Sequence, residues 1–145
     1  MNKILVFYLD KIFFGVNIEC IKSLSKLGRT KKIPKSPEWI AGRSKYRNKT
    51  FPLIKVWEIF NLQAPKKKVL LLPATFDYCA FLISGVKGIY ELKIDKESSK
   101  IYNLPYLCGL GTFQDKTLLQ IELDNLLNKR QKNIVKKLKE KNEKK

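Results

Sequence analysis

The chain has 145 residues, 44% of them apolar, with seven glycines and six prolines. That composition fits one domain or two closely joined subdomains and excludes a low-complexity or fibrous chain. Histidine is absent, cysteines number three and the formal charge is +17. The missing imidazole removes serine–histidine and cysteine–histidine catalysis and the commonest metal ligand, and the charge directs attention to acidic partners.

In chain order the signal is mostly β. Residues 3–9 and 12–18 are apolar, aromatic and β-branched runs separated by Asp10-Lys11, the spacing of a hairpin. Residues 19–24 read as a short helical turn, and residues 29–34 as an extended stretch closed by Pro34. Pro34, Pro37 and Trp39 suggest a turn with a tucked aromatic ahead of Ala41-Gly42. Residues 43–47 and 50–56 form a second strand pair about Asn48-Lys49, with Pro52 expected at an edge or bulge because it lacks a ladder donor. A helical turn over 56–60 and a polar connection over 63–68 follow.

The second half continues in the same style. Residues 69–72 and 78–83 are compact apolar strands. Residues 86–94 alternate, with Val86, Tyr90, Leu92 and Ile94 on one face and Lys87, Glu91 and Lys93 on the other, the period of a half-buried strand. Residues 95–100 are a charged turn. Residues 106–110 and 117–123 are strands about a loop over 111–116; Leu119, Ile121 and Leu123 point one way, Gln120 and Glu122 the other. Some ten short strands, divided near residues 63–68, suggest an all-β protein of two small packed barrels, since closure removes exposed strand edges.

The charge is concentrated. Residues 22–49 hold ten Lys or Arg against Glu38 alone, and residues 129–145 hold nine against two acids. The last segment places Leu123, Leu127, Ile134 and Leu138 near helical spacing. It predicts a weak amphipathic helix, a solvated tail docked by its first turn and frayed beyond Leu138. Cys20, Cys79 and Cys108 are odd in number, widely spaced and without a C-x-x-C pair, so they read as small apolar fillers. Paired-carboxylate motifs, a phosphate-cradling glycine loop and a metal-ligand set are missing, which argues against an enzyme and against a cofactor. The run Ile4 to Leu9 ends at Asp10-Lys11, short of a membrane span or a signal-peptide core, so a cytoplasmic protein without membrane insertion is expected.

The order of these features resembles the CheW family over residues 3 to about 127. The opening pattern F-x-L-x-x-x-x-F/Y-G-I-x-I is matched by Phe7, Tyr8, Leu9 and then Phe14, Gly15, Val16, Asn17, Ile18, and the V-x-E-I segment by Ile21, Lys22, Ser23, Leu24. The P-x-x-P-x-x-I-x-G stretch is met by Pro34, Pro37, Ile40 and Gly42. The G-V-I-N-L-R-G-x-I-I-P-V-I-D-L core is met by Gly42, Arg47, Pro52, Leu53, Ile54 and Val56. Later, residues 80–86, 106–111 and 118–127 are similar to the closing strands. Three acidic positions of the pattern are Ser23, Lys55 and Ser84 here, its asparagine is Lys45, and its second glycine is Asn48, a residue that tolerates positive φ.

The resemblance implies two five-stranded SH3-like barrel subdomains over residues 1–127, with a hydrophobic groove between them, and a basic helix or tail over 128–145. It implies an adaptor that couples chemoreceptor tips to the regulatory domain of the histidine kinase CheA in a signalling array, with no small-molecule substrate. On the matching positions it implies Arg47 as a polar anchor at the receptor/kinase interface, Ile21 as an apolar contact and Gly42 as a point of close backbone packing. The lysine surplus beside Arg47 marks a surface for an acidic partner. The competing reading is a nucleic-acid-binding basic β-barrel, on the strength of Tyr46, Phe51 and Trp57 near the basic segment, where aromatics stack bases while lysines neutralise phosphates.

Overall fold

The computed structural model describes residues 2–143; the outer limits of the expected domain and tail, at residues 1 and 145, lie outside the described residues. Eleven strands and two helices follow in order: β1 (Asn2–Leu9), β2 (Ile12–Asn17), β3 (Ile21–Lys26), β4 (Thr30–Lys31), β5 (Ile40–Tyr46), β6 (Lys49–Lys55), α1 (Val56–Ile59), β7 (Val69–Pro73), β8 (Ala80–Ile83), β9 (Val86–Leu92), β10 (Leu107–Phe113), β11 (Lys116–Ile121) and α2 (Lys129–Glu143). Single 3₁₀ turns cover Ile18–Cys20, Ser98–Tyr102 and Leu123–Asn125.

The strands make two sheets. One has five strands in the order β10-β11-β2-β1-β9, and the other has six in the order β3-β7-β8-β6-β5-β4. The first sheet curls until Asp95, just past β9, exchanges both backbone hydrogen bonds with Leu110 of β10, at 2.8 and 3.0 Å. The expected two-subdomain all-β fold is present, with the two-residue β4 as an additional sixth strand. The division does not fall at residues 63–68. β7 and β8 join the second sheet, while β1 and β2 join the C-terminal strands through the parallel ladder of β11 with β2. A second parallel ladder, β6 with β8, closes the other subdomain.

The period of two explains why β1 is apolar throughout. Leu5, Phe7 and Leu9 enter the large core shared by both sheets, and Ile4 and Val6 enter the smaller interior of the first subdomain with Phe13, Phe113 and Leu118. A strand buried on both faces loses its polar alternation. Gly15 on β2 faces the smaller interior, where a Cβ would stand 2.6 Å from Ile4 and 2.8 Å from Leu118. The Ser84 hydroxyl donates to the Tyr8 carbonyl and ties the end of β8 to β1.

Several local expectations are corrected. Of residues 19–24, only the beginning is helical. From Ile21 the chain is β3, paired antiparallel with β7; Ile21, Ser23 and Ser25 are half-buried on one face while Lys22, Leu24 and Lys26 are exposed on the other. Within residues 29–34 only Thr30 and Lys31 pair, with Ser44 and Arg43. Pro52 lies within an interior strand, yet the parallel ladder with β8 begins one residue later at Leu53, so no partner on that side needs its donor. The expected loop over 111–116 shrinks to Gln114-Asp115, both at positive φ (49° and 61°). Gln120 is 5% exposed because its face of β11 is the interior of the first subdomain. Its ladder partners Gly109 and Gly15 leave room for the long side chain.

α2 is the expected basic C-terminal helix, but it is longer and more firmly docked than expected. Asn128 and Gln131 form a reciprocal capping box, with Asn128 Oδ1 accepting from the Gln131 N–H and Gln131 Oε1 accepting from the Asn128 N–H, both at 2.8 Å. Two otherwise orphaned donors are satisfied this way. The helix then runs unbroken past Leu138 to Glu143. Val135 is fully buried in the shared core, with Ile134 and Leu138 packed beside it. No helix among the described residues is long and apolar enough to cross a membrane.

Candidate functional site

The β5–β6 hairpin turns at Arg47-Asn48, one residue earlier than the Asn48-Lys49 turn read from the sequence. Both residues hold positive φ, 48° and 67°. That is the pattern of a tight primed turn, whose twist matches the flanking strands. Asn48 suits it without glycine. Arg47 thus sits at the exposed tip of the hairpin rather than within a strand, its guanidinium carbon 5.3 Å from the Tyr46 ring centroid.

A cleft of about 430 Å³ opens beside this tip. Arg47 and Lys49 form one side and Lys22 of β3 another, while Phe51, Leu72 and Pro73 supply an apolar floor. Residues 74–77, between β7 and β8, close the far side with Phe76 and Asp77. Lys22 reaches the rim because the β3–β7 register skips it: Ile21 pairs with Pro73 and Ser23 with Leu72. Such a bulge re-aims a side chain. Among the described residues no carboxylate comes within ion-pair distance of Lys22, Arg47 or Lys49. Asp77 faces Lys139 of α2 instead, at 3.8 Å.

Of the three residues singled out from the sequence, Arg47 lines the cleft. Ile21 adjoins it, half-buried against the core and paired with Pro73 of the floor. Gly42 lies apart, buried on β5 at φ 136°, where a Cβ would be 2.4 Å from the Lys31 carbonyl oxygen. Its role in close backbone packing is therefore toward β4. Lys22, Lys49, Phe76 and Asp77 were not singled out. Lys22 and Lys49 were visible only as part of the charge surplus, and the 74–77 loop carries no sequence signal of its own.

A second concavity, of about 490 Å³, lies at the junction of the subdomains. Trp39 and Ile59 come from one side, Tyr106 from the other, and Leu127, just before α2, and Lys132, in its first turn, close it. Phe51 and Trp57, two of the three aromatics considered for base stacking, are core residues at 6% and 4% exposure. Neither stands out from the surface as a platform for stacking a base.

The cysteines are chemically quiet. Burial drives the Cys79 thiol far above its ordinary range, with nearby Lys139 opposing only in part. Burial, aided by Glu122, pushes Cys108 up to about 11. Cys20 is raised by burial and by the carboxylates of Asp124, Glu122 and Glu19. Protonated thiols are poor nucleophiles. Among the described residues no cluster of three or more His, Cys, Asp or Glu side chains is placed to hold a metal.

No curated protein matches the chain. Among solved structures, the scaffolding protein TtCheW from Thermoanaerobacter tengcongensis superposes with a TM-score of 0.72 at 20% identity, covering 90% of this chain and 96% of that one. At that identity the likeness speaks for the fold. The sequence itself matches the family described as the CheW-like domain over residues 3–131, from the first strand of one subdomain to the first turn of α2. With that match spanning both sheets, the chain belongs to the CheW-like domain family.

Proposed function

We propose that this protein is a cytoplasmic chemotaxis adaptor that binds the tip of a chemoreceptor and the regulatory domain of the histidine kinase CheA and holds them in one array. The observation that carries the reading is the family match across both subdomains. The cleft supports it, with its apolar floor and a rim of Lys22, Arg47 and Lys49, none of which is within ion-pair distance of a carboxylate among the described residues. Such an arrangement binds; the protonated thiols and the absence of histidine leave it little with which to catalyse.

Arg47 is the polar anchor in this reading, because its planar fork engages a carboxylate through two hydrogen bonds. Ile21, through Pro73 and the neighbouring Lys22, sets the apolar side of the same contact. The test is binding of the kinase regulatory domain and of a receptor-tip fragment to the wild-type chain and to Arg47→Glu. Dissociation constants of about 1–100 μM are expected for each partner. Arg47→Glu is expected to weaken the receptor tip by about 1–2 kcal/mol, roughly five- to thirtyfold, and the kinase domain far less. Failure of both partners to bind at moderate salt would sink the adaptor reading.

A further inference from the structure

The loop over residues 74–77, the far wall of the cleft, is held at its two ends by different parts of the chain. At its start the Ala74 N–H donates to the Cys20 carbonyl at 2.9 Å, and the Thr75 hydroxyl donates to Asp124 Oδ1 at 2.6 Å. At its other end Lys139 of α2 donates to the Asp77 carbonyl and lies 3.8 Å from the Asp77 carboxylate. The same ammonium lies 5.1 Å from the ring centroid of Phe51, in the cleft floor. One turn earlier, Lys136 lies 5.0 Å from the Tyr78 ring centroid, and Tyr78 stacks on Phe76 of the loop at 4.7 Å. Among the described residues no side chain of α2 lines the cleft itself; Lys139 reaches its wall and floor from behind.

A lysine is an unusual choice for this place. Lys139 is 8% exposed, and burying an ammonium is unfavourable unless it is paired and hydrogen-bonded. Anchoring α2 does not require it, because Val135 is fully buried and Ile134 and Leu138 pack beside it. The ammonium adds what an apolar side chain lacks, a charge-assisted hydrogen bond to one backbone carbonyl and an electrostatic hold on one aromatic ring. Both of those groups belong to the cleft. Lys136 and Lys139 lie beyond residues 3–131, which carry the family match, so a segment outside that match is fastened to the wall of the cleft.

We propose that Lys139 is a positioning residue of the cleft: by fastening the Asp77 carbonyl and the Phe51 ring to α2, it fixes the 74–77 loop relative to the floor, so that a partner meets a preformed surface. This rests on the receptor-binding reading of the cleft and adds to it a residue that does not touch the partner. The experiment titrates a receptor-tip fragment and, separately, the kinase regulatory domain against the full chain, Lys139→Met, Lys139→Arg and Arg47→Glu, and follows amide hydrogen exchange in the same chains. Methionine keeps an apolar stem and loses the donor, whereas arginine keeps a donor and a cation. Lys139→Met is expected to bind the receptor tip about fivefold more weakly, through lost preorganisation, and the kinase domain as wild type does. Its amides over residues 76–78 should exchange faster while those of β7 and β8 keep their protection. Lys139→Arg is expected to restore receptor binding to within about twofold of wild type. If Lys139→Met binds the receptor tip as wild type while Arg47→Glu weakens it, the cleft stands and the role of Lys139 is overturned. Weakened binding with unchanged exchange over 76–78 also overturns it, because the loop would then not carry the effect. An equal loss for both partners, or a loss that arginine does not restore, would mark a general loosening of the fold and overturn it too. If neither Arg47→Glu nor Lys139→Met changes receptor binding, the reading of the cleft falls and this proposal with it.

Discussion

Val135→Ala separates a docked helix from a solvated tail. Val135 is fully buried in the core that both sheets share. The substitution removes two buried carbons, about 0.8 kcal/mol each in transfer free energy. The cavity left behind adds to that, for a total of about 2–3 kcal/mol. In a chain of this length the loss corresponds to a fall in Tm of roughly 5–10 °C. A tail held only by its first turn would change by less than about 0.5 kcal/mol, as exposed positions do. The assay is urea unfolding, followed by far-ultraviolet dichroism and by tryptophan emission, since Trp57 lies in the same core. The midpoint should shift by the same amount with both probes and the slope should stay constant. An unchanged midpoint, together with an unchanged midpoint for a chain ending at Asn128, would refute the docking of α2 and the reasoning built on it.

Two further outcomes are expected. Gly42→Ala should cost about 3 kcal/mol or more, because φ 136° is strained for alanine and the new Cβ meets the Lys31 backbone at 2.4 Å; thermal unfolding reads this directly, and a Tm equal to wild type would show that β4 yields freely. The raised Cys108 thiol makes stability pH-dependent: its ordinary value is 9.0 and burial pushes it up to about 11, so the unfolded chain gives up that proton first. The contribution is fully present below pH 9.0 and is lost as pH rises toward about 11. Urea midpoints at pH 8 and at about pH 10.5 should therefore fall less in Cys108→Ala than in wild type, and parallel falls would contradict the assignment.

Much of the architecture was legible because strands announce themselves by period. The hairpin of residues 3–9 and 12–18 was placed within a residue or two of β1 and β2. The Asn48 position was correctly read as tolerant of positive φ, although the turn begins at Arg47. The misreadings have one physical root. A residue's exposure in a strand depends on which neighbour covers each face, and that is a property of the sheet. Gln120 alternated with Leu119 and Ile121 as a solvent residue would, but its face is the interior of the first subdomain. The capping box of Asn128 and Gln131 is written in the sequence, but the lysine-rich run after it has the composition of a solvated end and masks the signal.

The candidate site was legible in part. The motif singled out Arg47, though at the end of a strand rather than at the hairpin tip where it sits, and the lysine surplus over residues 22–49 marked the charge around it. Phe76, Asp77 and Lys139 are 29 residues or more beyond Arg47 in the chain, and nothing in their local sequence connects them to it. By itself the sequence determined the strand-rich class, the hairpins, the family, the absence of imidazole chemistry and the two basic segments, since composition and short-range period carry all of these. The tertiary structure decided the rest: the exchange of strands between the two halves, the cleft between the β5–β6 hairpin and the 74–77 loop, and the seat of α2 against its wall. Those depend on long-range pairing, in which β11 finds β2 and β8 finds β6, and a residue's neighbours in such ladders are set by the register of the whole sheet rather than by its place in the chain.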